Sequence, residues 1–562
     1  MSWLVIPNKT KNKFNAYHFV AFWLFLNILQ GNFTELTSDE GYYWFYSTSA
    51  QWGYYDHPPL LAWVIGAGYF LVTNELGVRL FNILMSAAGL ILFLNLVSPY
   101  IKNWSIAFVL VLSMPLLNYL SFIVFPDGPL LFFTIIFLLA YREYLERKDL
   151  RSSLLMGMAL ALMLYSKYHG LLILIFTVAS NLSLLRSKLF YLSVAIAFIL
   201  FLPHIAWQYA NNYPSLQYHL SGRMSYFSIS NVLQYLSQQL LVVGPALIFI
   251  PFFYKATNQF ERTLKFIVFG TFIFFLLASL RAFIHFHWTS IVIFPLMFLA
   301  VRFYSSLSRL TLLYWLAIPV MVLVLAARLQ LMFPFIPVNH VNVDYYHGRK
   351  SWAGGITNLT DRDTVLFQDN FREASLFSFY SKKTGVTIFS EANRKSQYDL
   401  WHCEDSLQHK SLFYIRYEPF YDANEYISPI GKTIYYTTLV NFSSYFDVEI
   451  NAACIEPQDK ADSMSVCIEV KNPRKQTLLF KKGEYGTYPV LYYKVLSKKN
   501  IVQKGPIKVF SDADSLPVQS TVRIQAKIPV SNLKRGRYRV IFGFRFGKLK
   551  ESENEEIVIR RR

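Results

Sequence analysis

Two short polar motifs decide the fold of this chain: SDEGYYW at residues 38–44 and YYDHPPL at residues 54–60. Together they hold three carboxylates, a histidine, a proline pair and several aromatic side chains. They follow an apolar segment at residues 17–29 and precede a long series of further apolar segments. We therefore predict that the motifs emerge at a membrane surface, where ionisable groups are costly and usually functional.

The composition indicates a polytopic membrane protein. The 562 residues are 54% hydrophobic and 16% charged, with a mean hydropathy of +0.30, which is more apolar than a soluble core requires. The formal net charge of +19 is on its own compatible with nucleic-acid binding. Much of the excess, however, lies in loops beside apolar segments and in the C-terminal tail. We attribute it to the positive-inside rule and predict no nucleic-acid partner.

The apolar segments predict about eleven transmembrane helices. They lie at residues 16–33, 78–98, 105–125, 128–141, 152–166, 169–185, 188–207, 233–254, 264–281, 286–303 and 309–328. Lys9, Lys11 and Lys13 precede the first of them, which has no small-residue cleavage site. We therefore expect no cleaved signal and a cytoplasmic N-terminus.

A further apolar run, residues 60–72, is short for a span and contains two glycines. Counted as a span, it would reverse every later loop and place the basic loops outside. As an interfacial helix on the outer surface it leaves them inside, as the positive-inside rule favours. The basic loops concerned are residues 142–151, 186–188, 255–265 and 302–309.

With this topology, the charged residues that are hardest to explain as loop residues collect on the outer face. Each has a structural alternative: Arg79 and Lys167 as anchors that snorkel to head groups, and Asp127 as the cap of the next helix. Their convergence on one face nevertheless predicts a site. The set is Asp39, Asp56, His57, Arg79, Asp127, Lys167, Arg223, Arg281, His285 and His287.

These residue types restrict the chemistry that such a site performs. A carboxylate near the surface is suited to act as general base toward a hydroxyl. Arginine and lysine neutralise a phosphate or diphosphate leaving group. The aromatic side chains suit sugar-ring faces or isoprenoid chains, and an outer interfacial helix would let a lipid-linked substrate enter sideways.

An ordered set of motifs now allows a comparison with a known family. The motifs are DE at 39–40, YYDHPPL at 54–60, LGVRL at 76–80, PDGPL at 126–130, SKYHG at 166–170 and HW at 287–288. With them the chain resembles, over residues 14–330, the polyprenyl-phosphate-sugar-dependent glycosyltransferases of the GT-C fold. That group contains the protein O-mannosyltransferases and the lipid A aminoarabinose transferase.

The resemblance implies an inverting sugar transfer at the outer face of the cytoplasmic membrane. In the family the first-loop acidic residue, here Asp39, is proposed to activate the acceptor hydroxyl. The catalytic candidates are Asp39 as the base, Glu40 as its structural partner, and Asp56. Asp56 and His57 stand where the aminoarabinose transferase carries a Glu-Lys pair, which is a departure from that relative.

The resemblance also implies residues that bind the donor phosphate and residues around it. The segment at 207–223 looks like the outer loop that borders the acceptor or donor tail, with a plain aromatic interfacial loop as the alternative. For the phosphate we assign His57, Arg79, Lys167, Arg281 and His287, and as further site residues Asp127, Tyr55, Tyr168 and Arg223.

No cofactor follows with certainty from the sequence, because family members differ in metal use. A divalent metal is one option, with Asp56, His57, His285 and His287 as candidate ligands. The alternative is that these histidines are hydrogen-bonded structurally. The expected partners are a polyprenyl-phosphate-linked sugar, a lipid, glycan or protein acceptor, and membrane lipids.

The apolar spans stop after residue 331, and strand-like segments begin. We predict a transmembrane domain at residues 1–333, an extracytoplasmic α/β domain at 334–430 and a β-sandwich-like domain at 431–562. All three cysteines lie in this outer portion. Cys454 and Cys467 fall in neighbouring predicted strands, so the pair is either disulfide-bonded or two free thiols, and Cys403 is left over.

Three other functions compete with a glycosyltransferase that uses a polyprenyl phosphate. A transporter or flippase of lipid-linked sugars would need paired halves with broken helices, and the sequence shows no internal duplication. A membrane anchor that presents the outer domain to a partner leaves the charged first loop unexplained. The charged residues of the outer face do not distinguish our prediction from an oligosaccharide polymerase or ligase that uses a diphosphate donor.

Overall fold

The chain divides into two compact units, which we call the membrane unit (Met1–His347) and the C-terminal unit (Gly348–Arg562). The computed structural model describes residues 13–101, 103–221, 227–336, 346–388, 395–456, 463–474, 477–480, 488–497, 500–511, 514–531, 533–546 and 552–561. The domain boundaries expected after residues 333 and 430 stay predictions.

The membrane unit is built from helices. They are α1 (Lys13–Phe33), α2 (Ser38–Ser47), α3 (Leu60–Leu71), α4 (Glu75–Val97), α5 (Trp104–Leu112), α6 (Pro115–Leu120), α7 (Asp127–Arg147), α8 (Leu150–Ser166), α9 (Gly170–Ser180), α10 (Lys188–Ala210), α11 (Pro214–Ser221), α12 (Ile229–Val243), α13 (Pro245–Ile248), α14 (Ile250–Phe253), α15 (Gln259–Ser279), α16 (Ile293–Ser306) and α17 (Thr311–Met332). Two 3₁₀ turns, Leu182–Arg186 and Phe286–Val292, lie before α10 and α16.

Helices occupy all eleven segments predicted to span, but the count of eleven spans is not confirmed. Within the described residues, six helices are long and apolar enough to cross a membrane, or seven if a bent pair counts as one span. Helices α8 and α9 are too short for that test. The bent pair is α12 with Pro245–Phe253, which turns by 97°. Gly244 permits the bend, because its φ of +85° disfavours residues with a Cβ.

Helix α3 confirms that the run after the second motif is a short helix. Its 12 residues bury Leu61 and Ile65, while Phe70 at the far end is 85% exposed. The turn into α4 is tight: a Cβ on Gly77 would lie 1.6 Å from the carbonyl oxygen of Val72. The location of α3 on the outer membrane surface stays a prediction.

The first part of the C-terminal unit is a mixed sheet with helices. The elements are α18 (Arg349–Asn358), β1 (Thr364–Gln368), α19 (Phe371–Ser381), β2 (Thr384–Ile388), α20 (Gln397–Leu400), β3 (Leu412–Arg416), β4 (Asn424–Ile427) and β5 (Thr433–Leu439), with a 3₁₀ turn at Cys403–Leu407. Strands β1 and β2 pair in parallel, β1 and β3 also pair in parallel, and β5 is antiparallel to both β3 and β4. The order is β2-β1-β3-β5-β4.

The rest of the unit is strand-rich and packs around one core, as expected for a sandwich. The strands are β6 (Glu449–Glu456), β7 (Ser463–Lys471), β8 (Leu478–Leu479), β9 (Val490–Ser497), β10 (Asn500–Val509), β11 (Ser515–Leu516), β12 (Thr521–Pro529), β13 (Gly536–Arg545) and β14 (Glu555–Arg561). Two antiparallel sheets have the orders β10-β9-β13-β14 and β12-β7-β6, with a short β11-β8 pair. Val466 of one sheet and Val540 of the other belong to the same buried cluster.

The cysteines lie as the strand pattern predicts. Cys454 of β6 is opposite Cys467 of β7 in the antiparallel register. Among the cysteines whose side chains the structure describes, Cys467 and Cys403 carry free thiols.

Candidate active site

The first turn of α2 presents the acidic pair and is fixed by a capping box. Thr37 is the N-cap, and its hydroxyl accepts a hydrogen bond from the backbone N–H of Glu40 at 3.2 Å. The Glu40 carboxylate accepts in return from the backbone N–H of Thr37 at 3.0 Å. Asp39 lies between them and is half-buried, whereas Glu40 is fully buried.

A buried ion pair joins Glu40 to Arg79. Arg79 Nε and Nη2 donate to the two oxygens of Glu40 at 2.7 and 2.6 Å. The remaining N–H groups donate to the backbone oxygens of Gly31, Thr34 and Glu35 at 3.1, 2.5 and 3.0 Å. All five donors of the guanidinium therefore have protein acceptors.

This geometry bears on two sequence-based assignments. Arg79 is 0% exposed and all five of its donors are bound within the protein, which disagrees with its assignment to the donor phosphate. Glu40 accepts from Arg79, from Thr37 and, at 3.0 Å, from the backbone N–H of Val124. These contacts of its carboxylate hold the loop in place. They agree with the prediction that Glu40 is a structural partner of Asp39 and disagree with the prediction that it is catalytic.

The second motif packs on the side of α2 that carries Tyr43 and Tyr46. The Tyr46 hydroxyl donates to the carboxylate of Asp56, which is buried. Tyr46 stacks on Tyr54 with ring centres 4.5 Å apart. The Tyr43 hydroxyl lies 3.3 Å from His57 Nε2. Asp56 and His57 are thus held beside the helix that carries Asp39.

Asp127 is the centre of a third group of polar residues. Its carboxylate accepts from Lys167 Nζ at 2.9 and 2.8 Å, from His287 Nδ1 at 2.9 Å and from the Ser290 hydroxyl at 2.7 Å. Pro126 is the N-cap of α7, and no side chain caps that helix. The capping role considered for Asp127 is therefore not what the structure shows, and Lys167 is an ion-pair partner with a side chain 7% exposed.

The residues just before Asp127 connect this group to α2. The backbone N–H of Val124 reaches Glu40, as described above. The ring of Phe125 lies 6.0 Å from that of Tyr43 and 5.0 Å from that of His287. Two chain segments far apart in sequence therefore meet, and they carry Asp39 and Asp127.

Tyr168 supports the second motif through a network of hydrogen bonds. Its hydroxyl donates to His204 Nε2 at 2.9 Å, because His204 Nδ1 donates to the backbone oxygen of Trp52 at 2.7 Å. Burial raises the pKa of Tyr168 to about 12. His219 Nε2 also reaches the motif, donating to the backbone oxygen of Asp56 at 3.3 Å. Tyr168 is thus part of a network that holds the loop.

Other predicted residues lie farther out. Tyr55 packs on Tyr218 with ring centres 5.9 Å apart. Arg281 and His285 are exposed in the linker between α15 and the 3₁₀ turn that carries His287. Arg223 lies outside the described residues.

The four candidate metal ligands do not converge. In the part of the chain that the structure describes, no three histidine, cysteine, aspartate or glutamate side chains form a metal-ligand group. Asp56 is bonded to Tyr46, and His287 is bonded to Asp127. A shared site made of Asp56, His57, His285 and His287 is therefore not what this structure contains.

Two contributors were missed by sequence reasoning. Ser290 binds Asp127 but stands in an apolar run that gives no signal of it. Tyr346 hydrogen-bonds Tyr119 with the hydroxyls 3.3 Å apart. Burial raises the pKa of Tyr346, and the charges of Glu40 and Asp39 add to the effect, so this phenol lies near the acidic pair.

Comparisons with known proteins agree with this architecture. A family described as dolichyl-phosphate-mannose-protein mannosyltransferase matches residues 56–207. A curated relative, the lipid A galacturonosyltransferase RgtD of Rhizobium johnstonii, is 28% identical over 234 residues, which are 38% of this chain and 48% of the relative. The chain therefore spans about half the length of this curated relative.

Two solved structures show the fold. ArnT from Cupriavidus metallidurans in the apo state matches with a TM-score of 0.55 at 14% identity, over 76% of this chain and 98% of ArnT. The same protein bound to undecaprenyl phosphate matches over the same shares with a TM-score of 0.50 at 14% identity. The chain is thus a multi-pass membrane protein with the GT-C fold, as the sequence motifs predict.

Proposed function

We propose that this GT-C chain is an inverting membrane glycosyltransferase, which moves a sugar from a polyprenyl-phosphate donor to an acceptor hydroxyl at the outer face of the cytoplasmic membrane. The acceptor class is a lipid A, envelope-glycan or protein hydroxyl. The observation that carries the proposal is the meeting of the Asp39 turn with the Asp127–Lys167–His287 group. The names of the relatives support it, since they include a lipid A glycosyltransferase and a structure bound to undecaprenyl phosphate.

In the proposed reaction Asp39 is the general base. Its carboxylate takes the proton of the acceptor hydroxyl as the hydroxyl oxygen attacks the anomeric carbon. The bond between that carbon and the phosphate oxygen breaks on the opposite face, which inverts the anomeric centre and releases polyprenyl phosphate. The capping box and the Glu40–Arg79 pair hold the turn that carries the base, which limits the cost of orienting it.

The donor phosphate is proposed to lie near Lys167 and His287. Both are cationic or proton-donating groups on one carboxylate, and Asp127 fixes their orientation. Such preorganised charges stabilise the phosphate oxygen as negative charge develops on it. Arg281, on the exposed linker that leads to His287, is the further candidate for this contact. Arg79 leaves the set because its donors are all occupied.

A transporter of lipid-linked sugars is the alternative function. It would be built from paired halves, each with a broken helix. The described residues contain a single bent helix pair that could form one span, α12 with Pro245–Phe253. The similarity of the fold to that of ArnT favours the transferase. The single bent helix pair also favours it, because a transporter of this kind would have one in each half.

Two experiments test the proposal. Mass spectrometry of envelope lipids and glycoproteins from cells with and without the protein should show one sugar missing, which names donor and acceptor together. Purified protein should then transfer that sugar from its polyprenyl phosphate to the acceptor. Movement of the intact lipid-linked sugar across vesicles, with no new glycosidic bond, would establish the transporter instead.

A further inference from the structure

Arg328 is a buried cation in α17 that the proposed reaction does not use. It is 3% exposed, and no carboxylate in the described residues forms an ion pair with it. Its Nη2 donates to Asn27 Oδ1, the backbone oxygen of Asn118 and the Ser121 hydroxyl at 3.0, 2.9 and 2.9 Å. Its Nε and Nη1 have no hydrogen-bond partner among the described residues.

Aromatic rings give this cation further favourable contacts. The guanidinium carbon lies 5.5 Å from the ring centre of Trp23 and 5.1 Å from that of Phe122. Cation–π contacts compensate only part of the cost of taking a guanidinium out of water. An arginine held in this way is poorly explained by stability alone, and ionisable groups inside a membrane protein are functional by default.

One set of hydrogen bonds leads from Arg328 to the turn that carries Asp39. Gln30 Nε2 donates to the backbone oxygen of Arg328 at 3.1 Å and to the Thr34 hydroxyl at 2.8 Å. The backbone oxygen of Thr34 accepts from Arg79, which binds Glu40. This path runs from α17 through the end of α1 to the first turn of α2.

A second set leads to Asp127. Asn118 and Ser121, which accept from Arg328, lie at the end of α6. The Ser121 hydroxyl also donates to Asn27 Oδ1 at 2.7 Å, so that this oxygen of α1 accepts from both Ser121 and Arg328. Six residues after Ser121 the chain reaches Asp127 at the start of α7. The guanidinium group therefore joins α1, at Asn27, to the end of α6, at Asn118 and Ser121, and these two helices lead into the two segments of the candidate site.

We propose that Arg328 is a positioning residue that keeps two segments, residues 34–41 and 121–128, in fixed register, so that Asp39 and the Asp127 group face the same reacting atoms. The inference rests on the proposed function for the identity of that site. The positioning itself is a property of the fold and is measurable without any sugar transfer.

Hydrogen exchange on the purified full chain in detergent tests the positioning. Arg328→Met keeps the volume and removes the charge and the donors. We expect amide exchange in both segments to become about tenfold faster, and Arg328→Lys to restore part of the protection. The matched control is Arg302→Met, which removes the cation bound to Glu261 and should leave both segments at the wild-type rate. Wild-type exchange of both segments in Arg328→Met would overturn the proposal.

Ser121→Ala provides a milder variant should Arg328→Met fail to fold. It removes one acceptor of Arg328 and the contact with Asn27, so exchange should rise in residues 121–128. Unchanged exchange in this variant, with Arg328→Lys also at the wild-type rate, would overturn the proposal in the same way.

The activity assay separates positioning from stability. For folded Arg328→Met we expect kcat to fall at least tenfold, with the apparent donor KM within about threefold of wild type, because misplaced groups mainly raise the barrier of the chemical step. Faster exchange with an unchanged kcat would overturn the link to catalysis. If the wild-type chain transfers no sugar, the proposed function fails, while the exchange result still decides the positioning.

Discussion

Two buried carboxylates of the membrane unit, Asp127 and Glu261, bind to partners on the same helical segment but organise their surroundings differently. Asp127 binds Ser290 and His287 near the start of Phe286–Ser306. Glu261 accepts from Arg302, near the end of that segment, at 2.9 Å. Each carboxylate is fully buried and paired with a cation.

The difference lies in the distance along the chain to the other partners. Glu261 accepts from the Tyr254 hydroxyl and from the backbone N–H and hydroxyl of Thr257, all within seven residues. These bonds close the loop before α15. Asp127 instead joins residues 40 and 160 positions away, namely Lys167 and His287. A carboxylate with mainly local partners secures the start of a helix, whereas one with distant partners assembles a site.

The largest expected effect comes from Asp39, the proposed general base. The surroundings of Glu261 contain no residue with a comparable proposed role. Asp39→Asn keeps the size and polarity but removes the proposed base, so kcat should fall by roughly 10² to 10⁴. The purified variant should still fold and bind donor, as measured by thermal unfolding and donor titration. Turnover close to that of wild type would reject Asp39 as the base.

Asp127→Asn and Glu261→Gln compare the two carboxylates directly. Asp127→Asn should lower kcat by roughly 10², because the orientation of Lys167 and His287 is lost. Glu261→Gln should lower the melting temperature and leave kcat of the folded enzyme within about threefold of wild type. Equal losses of kcat in the two variants would contradict the distinction between a site and a helix cap.

Lys167 gives a smaller effect on the donor. Lys167→Ala should raise the apparent KM for the polyprenyl-phosphate sugar, or lower kcat, by about tenfold. Lys167→Arg should recover part of the loss, since a planar fork replaces a compact ammonium. The control is Arg79→Lys, which should reduce thermal stability with little change in donor KM. If the Arg79 variant changes the donor KM and the Lys167 variants do not, Arg79 binds the donor phosphate, contrary to what the geometry indicates.

The smallest effect concerns a third buried carboxylate, Glu404 in the C-terminal unit. Burial raises its pKa to about 8 from the ordinary 4.5, and the charge of Asp447 adds to this while Arg474 opposes it. The folded state therefore binds more protons than the unfolded state between these values, and stability should fall as the pH rises from 5 to 8.

Glu404→Gln should remove most of that pH dependence. The measurement is thermal unfolding of the full chain at several pH values, with a change of a few degrees expected. A wild-type transition of the C-terminal unit that is flat over this pH range would contradict the raised pKa.

The sequence predicted the apolar helices, the two motifs and the strand-rich C-terminal region, because hydropathy and strand alternation are local properties. The count of eleven spans is not confirmed, since α8 and α9 are apolar yet too short for the length test. The sequence also assigned Arg79 to the donor phosphate, whereas the structure shows the donors of its guanidinium bound within the protein. The partners of that guanidinium are a carboxylate and backbone oxygens 39 to 48 residues away, which leave no mark near residue 79.

Prediction of the site was limited in the same way. Asp39, Asp127 and Lys167 stand in motifs with ordered spacing and were found. Their roles stay predictions until tested. Ser290 and Arg328 were missed because the sequence shows a serine or an arginine within an apolar segment but not its hydrogen-bond partners. Those partners are set only by three-dimensional packing.

The bonds to Glu40 also have a consequence for how the protein is made. Its carboxylate is satisfied by groups from residues 37, 79 and 124, which leave the ribosome at different times. Until residue 124 has been synthesised and inserted, the first turn of α2 lacks one of its N–H donors. The turn that carries Asp39 can therefore reach its final geometry only after the chain has grown 84 residues beyond Glu40, so that its completion depends on the insertion of the helices up to α6.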